Sequence, residues 1–308
     1  MHTDELSKNA KGGTELMGHA LYKHVDPALL DQFQIIRSRV RELDPTKKKI
    51  LWLHDLANDP EARHLSIPAE RKKFDKLVFV SHWQQQQYNT ILGVPYSAGV
   101  VIENAIVPLE RADRTNDGIV RLIYHSTPHR GLELLVPTFE LLAEKYPITL
   151  DVFSSFDLYG WPERNAPYQK LFDRCKAHEK INYHGTVSNE EIRKALQSAH
   201  IFAFPSIWQE TSCLCLMEAM SAGVACIHPS YGALPETGGG MMWSYPWTEN
   251  VQDHVQMFAG ILEAGIQNML THLERPTPNI VSTVANYRFS WEARKQQWES
   301  LLKSMLTK

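Results

Sequence analysis

Short apolar runs alternate with polar, helix-like segments through the first part of the chain. Four of these runs are rich in β-branched and aromatic residues, and they lie at residues 33–36, 50–53, 77–80 and 100–102. A short apolar run bounded by polar sequence is typical of a buried strand. Strands that alternate with helices predict a parallel sheet flanked by helices.

The same alternation restarts after a polar stretch at residues 110–118, which is the candidate linker between two domains. Strands are predicted at residues 120–124, 149–153, 181–184, 201–204 and 224–227. Helices are predicted at residues 132–145, 189–199 and about 213–222. The second half is therefore expected to form a complete Rossmann-like domain. In the last segment Trp291, Trp298 and Leu302 recur at helical spacing, which predicts an amphipathic helix over residues 291–306.

Composition agrees with a protein of two α/β domains, because 308 residues exceed a typical single domain and 43% of them are hydrophobic. The formal net charge of −3 provides no strong basic field. Nucleic-acid binding would therefore need a local patch, and the two candidates are Lys47–Lys49 and the cluster of Arg71, Lys72, Lys73 and Lys76. Solvated strand and helix ends are the simpler interpretation of both clusters.

The four cysteines have no Cys-x-x-Cys spacing and no histidines at metal-ligand spacing, so they indicate neither a zinc site nor a redox motif. No stretch approaches the roughly 18 consecutive apolar residues that a membrane span needs. The start, MHTDELSKNAKGG, is too polar for a secretion signal. These features predict a cytoplasmic protein without integral membrane association, and they leave its oligomeric state open.

The most informative segment is PSIWQETSCLCLMEAMSAG at residues 205–223. A predicted strand ends just before it, a loop carries Glu210, and the following helix carries Glu218. The start of such a helix presents unpaired backbone N–H groups and a positive dipole end, which can bind a diphosphate. The residues expected to supply these amides are Thr211, Ser212, Cys213 and Leu214. The two carboxylates can accept paired hydroxyl hydrogen bonds, one from a sugar and the other from a ribose.

This segment resembles the retaining glycosyltransferase family 4, whose members have the GT-B fold. The resemblance rests on the spacing of Glu210 and Glu218, on Ala-Met-x-Ala-Gly at residues 219–223, and on the flanking sequences GTVSNEE at residues 185–191 and GALPE at residues 232–236. It extends over nearly the whole chain from residue 11. It implies an α/β protein with two Rossmann-like domains facing across a cleft and a reduced N-terminal domain.

The resemblance also implies domain bounds and donor contacts. The bounds are residues 1–117 for the acceptor-side domain, 118–288 for the nucleotide-sugar domain, and 289–308 for a helix that packs back on the first domain. Glu210 would contact hydroxyls of the donor sugar and Glu218 would contact the nucleotide ribose. The segment around Tyr183 and His184 would contact the base.

A second group of candidate residues lies in YHSTPHRGLE at residues 124–133. Arg130 is placed to neutralise the leaving diphosphate. The family usually has a Gly-Arg pair and then a Lys-Gly pair, whereas this chain has Tyr124-His125 and Arg130-Gly131. His125 and Ser126 are still expected at the donor. At its unperturbed pKa a histidine is mostly neutral near pH 7, so charge neutralisation is expected to rest chiefly on Arg130.

The first domain contributes two further candidates. The sequence KGGTE at residues 11–15 resembles the family's glycine loop, in which Gly12 and Gly13 let bare backbone approach the donor phosphate. Residues 1–10 are polar, so the strand that normally precedes this loop is expected to be missing or reduced. His54 follows the strand at residues 50–53, where functional groups of open α/β sheets gather. The resemblance implies that His54 contacts the transferred sugar, and a structural histidine is the alternative.

The expected activity is metal-independent, retaining transfer of a hexose-like sugar, with His54, Arg130 and Glu210 as catalytic residues. A UDP-sugar is favoured over a GDP-sugar as co-substrate, and no cofactor is expected. The acceptor stays open among a glycan, a small molecule, a protein and modified DNA. Three alternatives remain: a GT-B nucleotide-sugar epimerase, an inactive glycan- or nucleotide-binding scaffold, and a DNA-base-modifying glycosyltransferase.

Overall fold

A computed structural model describes residues 12–110, 112–272 and 280–307 of the chain. The chain divides into two compact units. The first comprises Met1–Val107, Glu210–Leu214 and Arg288–Lys308, and the second comprises Pro108–Gln209 and Cys215–Tyr287. This division does not test the domain bounds drawn from the sequence, which stay a prediction. The expected loss of a first strand concerns residues 1–10, which lie outside the described residues.

The described residues form ten strands and twelve α-helices. The strands are β1 (Phe33–Arg37), β2 (Lys48–Leu53), β3 (Lys76–Phe79), β4 (Gly99–Val101), β5 (Val120–Tyr124), β6 (Ile148–Val152), β7 (Ile181–Tyr183), β8 (Ile201–Ala203), β9 (Ala225–Ser230) and β10 (Trp243–Pro246). The helices are α1 (Gly13–His24), α2 (Pro27–Leu30), α3 (Pro68–Arg71), α4 (His82–Leu92), α5 (Leu132–Ala143), α6 (Gln169–Ala177), α7 (Asn189–Ser198), α8 (Leu214–Ser221), α9 (Leu234–Gly238), α10 (Val251–His272), α11 (Ile280–Arg288) and α12 (Trp291–Leu306).

The first unit contains a parallel sheet of β1, β2, β3 and β4 in that order. Its side chains alternate between two cores, as the period of a strand requires. On β2, Ile50 and Trp52 join one hydrophobic cluster, and Leu51 and Leu53 join the other. The strands predicted at these positions are confirmed to within two residues at each end.

The last helix, α12, belongs to the first unit and spans the predicted residues 291–306. Its apolar face enters the same core as Trp52, and the ring of Trp298 packs edge-on against Trp52 with 5.0 Å between centroids. Lys48 donates to the carbonyl of Met305 near the end of the helix. Ser290 caps its start by accepting from the backbone N–H of Ala293.

The second unit contains a six-stranded parallel sheet in the order β10-β9-β8-β5-β6-β7. This is the strand order of the dinucleotide-binding Rossmann fold, in which the chain reverses direction across the sheet between its first and fourth strands. The five strands predicted here are confirmed, and β10 was not predicted. Helix α7 begins with a capping box between Ser188 and Glu191, and α8 begins within one residue of the predicted start. The structure thus confirms an α/β fold with two parallel sheets.

No helix in the described part of the chain is both long and apolar enough to cross a bilayer. The four cysteines, Cys175, Cys213, Cys215 and Cys226, are free thiols.

Candidate functional site

The carboxyl ends of β5 and β8 form the switch point of the second sheet, because the chain continues to opposite sides of the sheet from these neighbouring strands. Ligands of open α/β sheets bind in the crevice outside such a point. His125 and Ser126 directly follow β5, and both are buried. Pro205 and Ser206 lie in the loop after β8. The candidate residues after β5 therefore stand where this topology leaves room for a ligand.

A glycine turn holds Arg130 in this loop. Gly131 has φ of +105°, and a Cβ atom at this position would lie 2.1 Å from the carbonyl oxygen of Pro205. Only glycine fits so close an approach of two backbones. Helix α5 starts at the next residue without a side-chain cap. The Arg130 guanidinium lies 3.5 Å from the Ser126 hydroxyl, so a cation and a helix N-terminus meet at the end of β5.

His125 and Glu218 come together at the same edge. The distance from His125 Nε2 to Glu218 Oε2 is 3.9 Å. The Cys215 thiol, one turn before Glu218, donates to the His125 carbonyl over 2.9 Å, which ties the start of α8 to the end of β5. The His125 ring also packs against Phe202. Neither ring nitrogen of His125 has a hydrogen-bond partner within the described residues.

Burial determines the charges of this pair. It lowers the pKa of His125 to about 4, opposed by the contact with Cys215, so the imidazole is neutral near pH 7. Burial raises the pKa of Glu218 to about 7, and the positive charge of Arg193 opposes this increase. Among His125 and Arg130, the positive charge at the loop after β5 is therefore that of Arg130. A neutral imidazole with one N–H can still donate to a phosphate oxygen or a hydroxyl.

Sequence reasoning missed Arg193 and Cys215. Arg193 lies on α7, and its enclosed Nε has no hydrogen-bond partner in the described residues. No sequence signal distinguishes it from the other charges of an amphipathic helix. Cys215 was considered only as a redox or metal residue, whereas its thiol is a hydrogen-bond donor to the main chain.

In the first unit, His54 follows β2 as predicted. Its backbone N–H donates to the Ser38 hydroxyl over 2.8 Å, and its carbonyl accepts from the Thr211 hydroxyl over 2.7 Å. Burial, with a smaller contribution from Arg37, lowers the pKa of His54 to about 3. Its Nε2 is enclosed without a hydrogen-bond partner among the described residues. Ser38 has φ of +55°, which is rare outside glycine and which no sequence feature indicated.

The segment Glu210–Leu214 brings other candidates to His54. Glu210 precedes Thr211 and is buried. Ser212 has an enclosed hydroxyl without a hydrogen-bond partner in the described chain, and Cys213 is buried. The Leu214 side chain lies against the start of α1, where a Cβ atom on Gly13 would be 3.2 Å from it. Gly12 is the N-cap of α1 and Lys11 lies outside the described residues.

The candidate base-binding residues lie two strands away from β5, at the end of β7. The Tyr183 hydroxyl donates to the Ser154 carbonyl over 2.8 Å. The His184 ring stacks on Phe153 with 4.3 Å between centroids, and its Nε2 lies 2.8 Å from Asp151 Oδ1. Both side chains are thus held by neighbours, and His184 keeps an exposed edge.

The two Lys/Arg clusters are largely engaged in local contacts. Lys48 donates to the Met305 carbonyl, as described above. The other contacts are Lys49 with the Lys47 carbonyl, Arg71 with the Leu65 carbonyl, Lys73 with Glu70, and Lys76 with the Ser97 carbonyl. They support the interpretation of both clusters as strand and helix ends. Across residues 12–110, 112–272 and 280–307, no three His, Cys, Asp or Glu side chains are grouped so that they could hold a metal ion.

The chain is similar to known proteins in sequence and in fold. Residues 112–238 match the family described as Glycosyl transferases group 1. The match contains β5, the Arg130 turn and both candidate carboxylates. Most of the second unit is therefore similar to glycosyl transferases group 1, which bears out the prediction of a transferase for this region.

The named proteins that match this chain in sequence have low identity to it. This chain is 25% identical over 166 positions to a subunit of human phosphatidylinositol N-acetylglucosaminyltransferase. The aligned region covers 52% of this chain and 33% of that protein. They are 26% identical over 129 positions to the MMP α-(1→4)-mannosyltransferase of Mycolicibacterium hassiacum, covering 42% of this chain and 30% of that protein. The matched region thus spans about a third of these curated relatives.

Solved structures match over more of the chain. A glycosyltransferase from Rickettsia africae superposes with a TM-score of 0.67 at 17% identity, covering 99% of this chain and 84% of that chain. Anabaena HepE, in a complex with UDP and glucose, superposes with a TM-score of 0.64 at 17% identity, covering 84% of this chain and 72% of that chain. The fold is that of GT-B glycosyltransferases.

Proposed function

We propose that this protein is a metal-independent, retaining glycosyltransferase that moves a sugar from a nucleoside-diphosphate sugar to a hydroxyl acceptor. The observation that carries the proposal is the meeting of Glu218, His125 and the Arg130 turn at the switch point of the second sheet. Glu218 provides a carboxylate for ribose hydroxyls, His125 a neutral hydrogen-bond donor, and Arg130 a guanidinium for phosphates. This set of groups fits a nucleoside diphosphate.

The roles follow from the charges. Glu218 accepts hydrogen bonds from the ribose hydroxyls. Arg130 and the first amides of α5 take up the charge that develops on the leaving diphosphate. The Tyr183–His184 segment lies at the carboxyl edge of the same sheet and contacts the base.

For the first unit, taken by itself, the proposal assigns sugar binding to Glu210 and His54. Both belong to the first unit, and the hydrogen bond from Thr211 to the His54 carbonyl joins their segments. With its pKa of about 3, His54 stays neutral near pH 7. In the reaction the bond from the anomeric carbon to the phosphate oxygen breaks and a bond to the acceptor oxygen forms. The acceptor proton passes to the departing phosphate, which places the acceptor on the same face and retains the configuration.

A UDP-sugar is the proposed donor. Support comes from structural relatives, since HepE was solved with UDP-glucose and the pneumococcal O-GlcNAc transferase GtfA with UDP and GlcNAc. The acceptor is a hydroxyl compound.

The test is isothermal titration of the protein with UDP, GDP and ADP in the presence of EDTA. UDP is expected to bind most tightly, and Glu218→Ala is expected to weaken it at least tenfold. Glu190→Ala is the matched control, because Glu190 is an exposed helix residue paired with Lys194. NMR of the products of UDP-sugar turnover then gives the anomeric configuration. A requirement for a divalent ion, or an inverted product, would refute that part of the proposal.

The same experiments separate the alternatives. An epimerase would change the donor sugar without any acceptor. An inactive scaffold would bind a nucleotide or glycan and turn over no donor. The DNA-modifying alternative requires salt-sensitive DNA binding, and the local contacts of the Lys/Arg clusters do not favour it.

A further inference from the structure

The histidine at the carboxyl end of β7 is held more firmly than simple contact with a base requires. The His184 ring stacks on Phe153 with 4.3 Å between centroids and 7° between planes. Its Nε2 lies 2.8 Å from Asp151 Oδ1. The same carboxylate oxygen accepts from the Asn182 side-chain amide over 3.2 Å. The orientation of the imidazole is therefore fixed by a ring on one face and by a carboxylate at one edge.

The register of the sheet brings these groups together. Asp151 and Asn182 are paired across β6 and β7, and so are the next residues along, Val152 and Tyr183. The His184 backbone N–H donates to the Val152 carbonyl over 2.9 Å and extends this ladder by one residue. Because that N–H is engaged in the sheet, a ligand can form a hydrogen bond with His184 only through the imidazole or the carbonyl.

The carboxylate determines which ring nitrogen carries the proton. Asp151 accepts the hydrogen bond, so Nε2 is the protonated nitrogen of the neutral His184 imidazole. Nδ1 then has a lone pair, and it makes no hydrogen bond within the residues that the structure describes. The side chain is 36% exposed. The pair thus presents a hydrogen-bond acceptor in a fixed orientation at the carboxyl edge of the sheet.

Stacking on a base would not need this arrangement. The face of a flat ring is apolar in either tautomer, and any aromatic side chain can supply it. Ring rotation and the position of the proton matter only for a hydrogen bond at the ring edge. The chain of contacts from Asn182 through Asp151 to His184 therefore indicates recognition by the edge of the imidazole.

The matching group on a base is a ring N–H. Uracil has one between two carbonyl oxygens, and guanine has one beside a carbonyl oxygen. Cytosine and adenine have a lone pair at the corresponding ring nitrogen. An acceptor fixed at His184 Nδ1 therefore separates uracil and guanine from cytosine and adenine.

We propose that His184 Nδ1 accepts the ring N–H of the uracil of the donor, and that Asp151 is the positioning residue that keeps this nitrogen unprotonated. The inference rests on the proposed function, because it names the group that selects the base in the same nucleotide-sugar site. CDP- and ADP-sugars are then poor donors, since two lone pairs would face each other.

The test is isothermal titration at pH 8 of UDP, CDP, GDP and ADP into the unaltered protein and two variants. UDP is expected to bind the unaltered protein about tenfold or more tightly than CDP does, because CDP leaves the acceptor unpaired. His184→Phe keeps a ring on Phe153 and removes the acceptor. The ratio of the UDP and CDP affinities is expected to fall below about threefold in this variant, through weaker binding of UDP. Asp151→Ala is expected to lower the ratio in the same direction.

Two substitutions in the same unit are the matched controls. His178→Phe changes a histidine that precedes β7 at the opposite edge of the sheet, and Asp173→Ala changes an exposed carboxylate on α6. Neither is expected to alter the ratio. The thermal midpoint of every variant is measured as a check on folding.

Long-range ¹H–¹⁵N NMR spectra report the tautomer of the unaltered protein directly, and the spectrum of His184→Phe assigns the signals. At pH 8 His184 Nε2 is expected to be protonated and Nδ1 unprotonated, and the Nδ1 signal is expected to move when UDP is added. In Asp151→Ala the two tautomers are expected to mix. A merely structural role of Asp151 would leave the tautomer unchanged.

Several results would overturn the proposal. They are equal binding of UDP and CDP by the unaltered protein, an unchanged ratio in His184→Phe or Asp151→Ala, and a protonated Nδ1 in the unaltered protein. Tighter binding of GDP than of UDP would overturn the choice of uracil. Failure of the proposed function has a different signature, namely that no nucleoside diphosphate binds the unaltered protein.

Discussion

The substitution Glu218→Gln is expected to stabilise the protein at pH 8 while weakening nucleotide binding. Burial raises the pKa of Glu218 from its ordinary 4.5 to about 7. The folded protein therefore binds this proton more tightly than the unfolded chain does. A raised carboxyl pKa means that stability is full below about pH 4.5 and falls as the pH rises to about 7.

The magnitude follows from the two pKa values. At 1.36 kcal/mol for each pH unit, the difference between 4.5 and about 7 corresponds to about 3 kcal/mol of stability lost at pH 8. The Glu218 side chain is only 20% exposed, so solvent screening reduces this figure modestly. Glutamine has the shape of the neutral acid and cannot ionise, so it removes the loss.

The assay is urea unfolding of the unaltered protein and Glu218→Gln at pH 4.5 and pH 8. Equal stability at pH 4.5 and a gain of about 2–3 kcal/mol for the variant at pH 8 are expected. In contrast, UDP should bind the variant about tenfold more weakly, because a charge-assisted hydrogen bond becomes a neutral one. Equal stability of the two proteins at pH 8 would refute the reasoning, since it would mean that Glu218 ionises without penalty in the fold.

Three further substitutions test other candidate residues. Gly131→Ala forces a side chain into the Pro205 carbonyl at positive φ, and it should cost about 2–5 kcal/mol in urea unfolding together with a loss of UDP affinity; unchanged stability would contradict the structure of this turn. Arg130→Ala should lower kcat/KM by about 10²–10³, with partial recovery in Arg130→Lys, as measured by release of UDP; an equal loss in both variants would show that charge alone is not its contribution. His54→Ala should lower kcat and leave the UDP affinity measured by titration unchanged. Between about pH 5 and 9 the pH–rate profiles of this variant and the unaltered protein should have the same shape, because His54, with a pKa of about 3, does not titrate in that range.

The candidate site could be located from sequence because its residues follow apolar runs. His54 comes after the run that forms β2, and His125 after the run that forms β5. Parallel strands place their carboxyl ends at one edge, so the order of strand and loop already predicts the edge. The sequence shows Gly131 after Arg130, but it does not show why a glycine is required there. The reason is a clash with Pro205, which is far away in the chain.

The environment of each group required the tertiary structure. Sequence reasoning treated His125 as a histidine of ordinary pKa and Glu218 as a ribose ligand. Their separation of 3.9 Å and their opposite pKa changes depend on β5 and α8 coming together. Arg193 affects Glu218 through the packing of α7, and nothing in its local sequence indicates this.

By itself the sequence determined nine of the ten described strands and four of the helices, because hydrophobic periodicity is a local property of the chain. It also determined the residue types at the strand ends, and thus the class of chemistry. The tertiary structure alone decided the Rossmann order of the second sheet and the grouping of Glu210–Leu214 with the first unit. It alone decided which titratable groups are buried, because burial and proximity depend on residues distant in the chain that fold together.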